Sequence, residues 1–525
     1  MFKKIKKIFP TIAEIKLLKL EILLSFMSGI LLNLAFPNID INWLAWISLI
    51  PFLTSLYRVN SFRHSMHIGF VFGFTFYYCN FFWLNNLIIY NLFIPLGVIF
   101  LGIYCALYVM LFSGVFYFIK REFPKLIIFI VPLVWVFTEY LKILGDLGFP
   151  WGNLAYTQWN QISIIQISSI LGMYGVSYLV ILINLSLAEL FVNFKKKSFK
   201  SSTISILFTV IISSLILAYG YKVKNEKPNN NSTKLKIAVL QPNIDQLTKM
   251  NSFYDQKLCD ELFFKVIRLT KEVKGTDADL LIFPETTITD IELATNQELK
   301  AYLQAISKDI ETPFLLGGLN KDEKSFYNSA FYVDGNDGWG EIYDKIQLVP
   351  FGETVPYLNK IPFFQEFIVG IESFGRGKEH TIFKCNDVQF GALICFESTF
   401  PELSRILVNK GASFLTVITN DAWYLDSRGP YQHCAISVLR AVETRRWLAR
   451  SANTGISCII SPIGEIKTYL KYGVEGITDY EIEPRTDITF YTKYGDIFAK
   501  ACSILSLIMI MIIIFRKKIK NDNMS

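Results

Sequence analysis

The chain has 525 residues, too many for one ordinary domain. Hydrophobic residues make up 52% of it and the mean hydropathy is +0.36, which excludes an ordinary soluble protein. The formal charge of +7 comes mostly from Lys and Arg that flank apolar runs, a poor use of charge for nucleic-acid binding.

In chain order, apolar runs predict membrane spans near 20–35, 42–57, 66–86, 92–118, 125–143, 163–192, 203–221 and 499–515. About 18 or more apolar residues suffice to cross a bilayer. The first two runs are short and separated by Phe36-Pro37-Asn38-Ile39-Asp40. The basic start before an apolar run imitates a signal peptide. No small-residue cleavage site follows and further spans do, so the expectation is a retained first helix.

Charge alternates between the loops. Lys3 to Lys19, Arg58 and Arg63, Lys120 to Lys125, Lys195 to Lys200, and Arg516 to Lys520 mark one side. The turns around 36–41, 87–91 and 144–162 carry no Lys or Arg, and Lys142 is the one exception to the alternation. The positive-inside rule then puts both termini in the cytoplasm and residues of about 222–498 on the opposite face. Glu139, Lys142 and Asp146 are expected to face water at the outer end of a span. Trp151 and Tyr156 read either as an interfacial aromatic belt or as a substrate contact.

The expected division is a membrane domain at 1–221 with about seven spans, a polar linker at 222–234, an extramembrane domain at 235–498, and a last span with a basic tail at 499–525. In the extramembrane part, strands are expected at 235–240, 279–283, 314–318, 327–333, 388–394, 414–418 and 456–461. Helices are expected at about 252–274, 294–308 and 430–448. Strands alternating with helices, then strand-rich stretches, predict an α/β sandwich.

Three segments each put a chemically capable residue next to an apolar run. Leu280-Leu281-Ile282-Phe283-Pro284 ends at Glu285, Lys345 precedes Ile346-Gln347-Leu348-Val349-Pro350, and Val388 to Ile394 ends at Cys395. A carboxylate, an ammonium and a thiol can supply base, electrostatic partner and nucleophile without His. A Cys between a strand and a helix start lies near backbone N–H groups that lower a thiol pKa or hold an oxyanion. The eight cysteines form no CxxC pair and the four histidines are scattered, so no metal site is indicated, nor any organic cofactor. Five cysteines fall on the outer side, an odd number, and Cys395 is the candidate for a thiol kept free.

FPET, DKIQLVPFGE, ICFE and TNDAW occur here in the order seen in the nitrilase (carbon–nitrogen hydrolase) superfamily, and the chain resembles that superfamily over about 235–490. Gly148-Phe149-Pro150-Trp151-Gly152-Asn153-Leu154-Ala155-Tyr156 and Gly172-Met173-Tyr174-Gly175-Val176 are similar to the signature of apolipoprotein N-acyltransferases. The resemblance implies a multi-pass helical membrane domain joined to an extramembrane nitrilase-like α-β-β-α sandwich, in a bacterial inner membrane. It implies Glu285 as general base, Lys345 as oxyanion and thiolate partner, and Cys395 as nucleophile. Glu353 and Glu397 match further carboxylates of that family, either in proton transfer or in holding Lys345. Phe396 stands where relatives often have Tyr, and Met250 where they often have Trp.

The implied reaction takes an acyl chain from a membrane phospholipid, through a Cys395 thioester, to the α-amine of the diacylglyceryl-modified Cys of lipoproteins. The alternative is a membrane-tethered amidase or nitrilase that lets water attack the thioester of a small substrate. The apolar stretch Val355 to Gly370, broken by Pro and Gly, reads as a lid at the interface or as a buried core hairpin.

Overall fold

The computed structural model describes residues 18–196, 200–226, 233–288, 293–356 and 374–522, so most of the expected lid lies outside the described residues. The chain forms two compact units. One comprises Met1–Leu144, Gly148–Lys222 and Asp496–Ser525; the other comprises Gly145–Leu147 and Val223–Gly495.

The first unit is helical. Its helices are α1 (Lys19–Leu34), α2 (Ile50–Arg58), α3 (Phe62–Asn80), α4 (Ile94–Glu122), α5 (Ile127–Lys142), α6 (Met173–Lys196) and α7 (Lys200–Lys224). Small residues bring α3 and α4 close. A Cβ on Gly69 would collide with Ser113, and one on Gly73 would press on Ala106 and Val109. Among the described residues, five helical segments are long and apolar enough to cross a membrane: Ile94–Glu122, Pro124–Lys142, Met173–Phe194, Ser202–Lys224 and Ile497–Arg516.

Two expected spans are interrupted. Residues 42–57 form the 3₁₀ turn Asn42–Trp46 and then α2, whose nine residues reach only about 14 Å. Pro51 in the first turn of α2 donates no N–H, so it opens a new helix rather than continuing one. Asn184 of α6 bridges the break, accepting from the Leu49 N–H at 2.9 Å and donating to the Ala45 carbonyl at 2.7 Å. Residues 163–192 begin as two short turns, Ile162–Ile165 and Ser168–Leu171. Gly172 then reverses the chain at φ +64° before α6 starts.

Glu139 and Lys142 do not face water. Both are buried, at 4% and 0% exposure. Glu139 Oε1 accepts from the Trp135 indole at 3.0 Å and from the Leu154 N–H at 2.9 Å. Lys142 Nζ donates to the Trp151 carbonyl at 2.8 Å and lies 4.7 Å from the Tyr77 ring centre. The pair ties the 148–156 loop to the end of α5, so the one charge that broke the alternation is an internal fastener. Trp151 and Tyr156 are buried too, and the Tyr156 hydroxyl lies 3.1 Å from Met173 Sδ, so the two signature segments pack on each other.

The second unit carries two six-stranded sheets. In chain order it holds β1 (Leu235–Gln241), α8 (Gln246–Asn251), α9 (Gln256–Lys271), β2 (Leu280–Ile282), α10 (Gln297–Asp309), β3 (Phe314–Lys321), β4 (Phe326–Asp334), β5 (Gly338–Asp344), β6 (Ile382–Cys385), β7 (Val388–Ile394), α11 (Pro401–Asn409), β8 (Phe414–Thr419), α12 (Arg428–Thr444), β9 (Leu448–Ala452), β10 (Ser457–Ile460), β11 (Ile466–Leu470) and β12 (Gly476–Ile482). A last helix, α13 (Ile497–Asp522), belongs to the first unit. The sheets run β12-β1-β2-β3-β4-β5 and β11-β10-β9-β8-β7-β6.

Alternation along each strand decides the layers. Ile237, Val239, Leu280, Ile282 and Leu315 face the second sheet's Phe390, Ala392, Ile394, Phe414 and Ile418 in one core. Ala238, Leu240, Leu281, Phe314 and Leu316 face the other way, against Val266 and Leu269 of α9 and Leu303 and Ile306 of α10. Helices α11 and α12 pack on β7 and β9 of the second sheet. The result is the expected α-β-β-α sandwich. Asp255 and Asn296 cap α9 and α10 by accepting from first-turn N–H groups. The helix expected at 430–448 ends at Thr444, because Arg445 takes φ +53° and β9 begins at Leu448. Arg446 and Arg450 are therefore not helical, and Arg450 lies on β9.

Candidate active site

The ends of β2 and β7 and the turn after β5 meet around Cys395. β7 delivers Cys395 into a short helical turn, Cys395–Thr399, with φ +53° at the cysteine. Glu285 follows β2, and Thr286 beside it has φ +44°. Lys345 follows β5, and Phe351, near Glu353, has φ +61°. Positive φ at non-glycine residues costs of order 1–3 kcal/mol each, and such strain gathers where geometry is fixed for chemistry.

Lys345 is fully buried. Its Nζ lies 2.7 Å from Glu353 Oε1 and 3.4 Å from Glu285 Oε1. Asn328 Nδ2 on β4 donates to the same two carboxylates, at 2.7 Å to Glu285 and 3.3 Å to Glu353. Glu285 Oε2 accepts the Asn420 N–H at 2.9 Å, and Glu353 Oε2 accepts the Val349 N–H at 2.9 Å. Burial works against the Lys345 ammonium, but the charges of Glu353 and Glu285 outweigh it and hold its pKa above the ordinary value. Lys345 therefore stays a cation.

Glu397 does not hold Lys345 by direct pairing. Its Oε1 accepts from the Tyr343 hydroxyl at 2.8 Å and from the N–H groups of Ile346 and Gln347 at 2.7 and 3.1 Å. Its Oε2 accepts the Ile394 N–H at 2.8 Å. Glu397 thus clasps the Lys345 turn to the Cys395 elbow, while burial raises its pKa. Phe396 is buried and meets Phe400 edge-on, ring centres 5.1 Å apart.

The Cys395 thiol is 6% exposed. Burial first, and then the Glu285 charge, push its pKa above the ordinary value; Lys345 opposes this and loses. The thiol therefore keeps its proton, beside a carboxylate that can take it.

Several neighbours carry no obvious signal in the sequence. Lys249 Nζ, one residue before Met250, donates to the Thr286 hydroxyl at 2.8 Å and the Glu285 carbonyl at 3.3 Å. Burial lowers its pKa to about 8. Gly317 of β3 is needed for close approach, since a Cβ there would strike Pro284 and Glu285. Tyr424 sits in the field of Cys395, Asp421 and Glu285, and burial raises its phenol pKa, so it remains a neutral O–H. Only the TNDAW motif hinted at Asn420, Asp421 and their surroundings. Among the described residues, no cluster of His, Cys, Asp or Glu could hold a metal ion.

Residues 28–186 match the family described as apolipoprotein N-acyltransferase N-terminal domain, and residues 236–487 match carbon-nitrogen hydrolase. A relative from Geobacter metallireducens named apolipoprotein N-acyltransferase is 32% identical, over 95% of this chain and 96% of its own length. One of the same name from Chlorobaculum tepidum is 29% identical, over 96% of this chain and 98% of its own. Among solved structures, an amidase from Nesterenkonia sp. aligns with TM-score 0.36 and 17% identity, over 49% of this chain and 93% of that one.

Proposed function

The chain belongs to the apolipoprotein N-acyltransferase family, and on that premise we propose that it moves an acyl chain from a membrane phospholipid, through a thioester on Cys395, to the α-amine of the S-diacylglyceryl-Cys of a lipoprotein. We further infer that the catalytic unit faces the outer side of a bacterial inner membrane, with both termini cytoplasmic. The observation that carries this reading is the cluster of buried Glu285 and Lys345 with half-buried Glu353, beside the strained, protonated Cys395.

In the proposed cycle Glu285 takes the thiol proton as Sγ attacks the ester carbonyl carbon. The carbonyl oxygen gains charge beside the Lys345 ammonium and the Phe396 N–H. A well-placed donor of this kind is worth roughly 3–4 kcal/mol. The C–O bond to glycerol then breaks, Glu285 returns its proton to the departing oxygen, and lysophospholipid leaves. The lipoprotein amine next attacks the thioester carbon and gives a proton to Glu285. The C–S bond breaks, an amide forms, and the sulfur recovers the proton. Membrane-spanning helices suit substrates whose acyl chains stay in the bilayer.

The test is intact-protein mass spectrometry after incubation with a phospholipid, beside Cys395→Ala. The expected result is a hydroxylamine-sensitive gain of one acyl chain, absent from the variant and discharged by a diacylglyceryl-Cys peptide. A folded protein that forms no adduct would remove the phospholipid-donor reading.

A further inference from the structure

Next to Cys395 lies a buried polar chain that the proposed cycle does not use. His433 on α12 places Nδ1 2.9 Å from Asp421 Oδ1, and its Nε2 lies 2.8 Å from Ser398 Oγ and 3.1 Å from the Cys395 carbonyl oxygen. The Ser398 hydroxyl is itself 2.8 Å from that carbonyl. Asp421 is fixed from two more strands. Arg450 of β9 donates to Oδ2 at 2.6 Å, and Thr419 at the end of β8 donates to Oδ1 at 3.0 Å. Ser398, Asp421, His433 and Arg450 are all fully buried.

An Asp–His–Ser arrangement suggests a nucleophile, but a Ser398 sealed in the interior reaches no substrate. Its geometry points at the backbone of the residue that does. Arg450 and His433 hold the Asp421 carboxyl down at about 2 against the cost of burial, so it is ionised and accepts from Nδ1–H. Burial and the Arg450 charge lower the His433 pKa, so the ring is neutral and Nε2 is left as an acceptor. The single Ser398 proton bonds one of two acceptors, Nε2 or the Cys395 carbonyl, and Oγ, Nε2 and that carbonyl oxygen pack within 3.1 Å of one another. The elbow at φ +53° is thus braced from beneath by a side-chain chain anchored in β8, β9 and α12.

We propose that His433 is a positioning residue, which acts through Ser398 and the Cys395 carbonyl to hold the sulfur at the angle its attack requires. The proposal rests on Cys395 as nucleophile, and its first readout is independent of any lipid.

The experiment uses the full-length membrane protein and measures the rate of Cys395 alkylation by iodoacetamide in His433→Asn, His433→Gln and Ser398→Ala, with melting temperatures alongside. An Asn amide can reproduce the Nδ1 contact with Asp421 but falls short of Ser398 and the carbonyl. A Gln amide can reach the Nε2 position. Positioning therefore predicts His433→Asn slowed by about tenfold to a hundredfold, His433→Gln within a few-fold of the parent, and Ser398→Ala slowed with little change in melting temperature. In an acyl-transfer assay the same loss should fall on kcat and leave KM unchanged. A role confined to neutralising Asp421 predicts the reverse order, Asn better than Gln, and that order would overturn the proposal. So would a Ser398→Ala variant that alkylates at the parent rate. The predicted alkylation order with no lipid turnover in any protein, parent included, would sustain the positioning role and remove the phospholipid-donor reading instead.

Discussion

Lys249 shows how a single buried cation can hold Glu285, the proposed general base, without touching its carboxylate. Its ammonium ties together the Glu285 carbonyl and the Thr286 hydroxyl, at the point where the chain leaves β2 through a positive φ. Lys249→Met removes both contacts while keeping the length of the side chain. The Glu285 turn should then drift, and acyl transfer should fall by roughly tenfold or more. Lys249→Arg keeps a donor and should recover part of the rate; equal activity in all three proteins would show that the contact does not position Glu285. The proposed catalytic trio was legible in the sequence because Glu285, Lys345 and Cys395 each sit beside an apolar run that predicts a strand end. Lys249, Asn328 and His433 were not. Each lies within an ordinary element, and its importance comes from a partner 36 to 43 residues distant in sequence, or from a backbone carbonyl that no motif records.

Asp421 binds elements together: β8 through Thr419, β9 through Arg450 and α12 through His433. Its folded pKa of about 2 lies below the ordinary 3.8, so the unfolded chain binds more protons over that interval. The stability it contributes is complete above pH 3.8 and is lost as pH falls towards 2, by about 2 kcal/mol. His433 acts in the same direction at higher pH. Its folded pKa is lowered, so stability begins to fall as pH drops through its ordinary value of 6.5. Denaturant titration of the parent from pH 8 to pH 3 should therefore show declining stability, and Asp421→Asn should flatten the acid end of that decline while lowering stability at pH 7. A parent curve flat across that range would contradict the assignment. The same elements explain what the sequence concealed. The unread strands β5, β6, β11 and β12 are all edge strands. One side of an edge faces solvent and polar residues fill it, as in Gly338-Trp339-Gly340-Glu341-Ile342-Tyr343-Asp344, so no apolar run announces it. β9 (Leu448–Ala452) was not read as a strand: Arg450 interrupts its apolar run, whereas burial beside Asp421 makes Arg450 a core residue.

At the scale of the whole molecule, orientation in the membrane decides which substrates can reach the proposed site. Five described segments are long and apolar enough to cross, fewer than the eight runs counted from hydropathy. The runs at 20–35, 42–57 and 66–86 drop out: the first yields the 16-residue α1, and Pro51 breaks the second, where Asn184 satisfies backbone groups that a continuous helix would have paired internally. Orientation therefore cannot be obtained by counting spans, and it falls to the charges. With Lys142 internal, Arg58 and Arg63 stand at the facing ends of α2 and α3, and Lys120, Arg121 and Lys125 stand where α4 gives way to α5. The proposed topology places those loops inside and the catalytic unit outside. In a background carrying Cys79→Ser and Cys259→Ser, Asn336→Cys on the exposed turn after β4 should react with a membrane-impermeant maleimide in intact spheroplasts. Asn60→Cys, exposed between α2 and α3, should react only after permeabilisation. The opposite pattern would put the catalytic unit in the cytoplasm, where mature lipoprotein precursors at the outer leaflet could not reach Cys395. The labelling result thus bears on the acceptor as directly as on the topology.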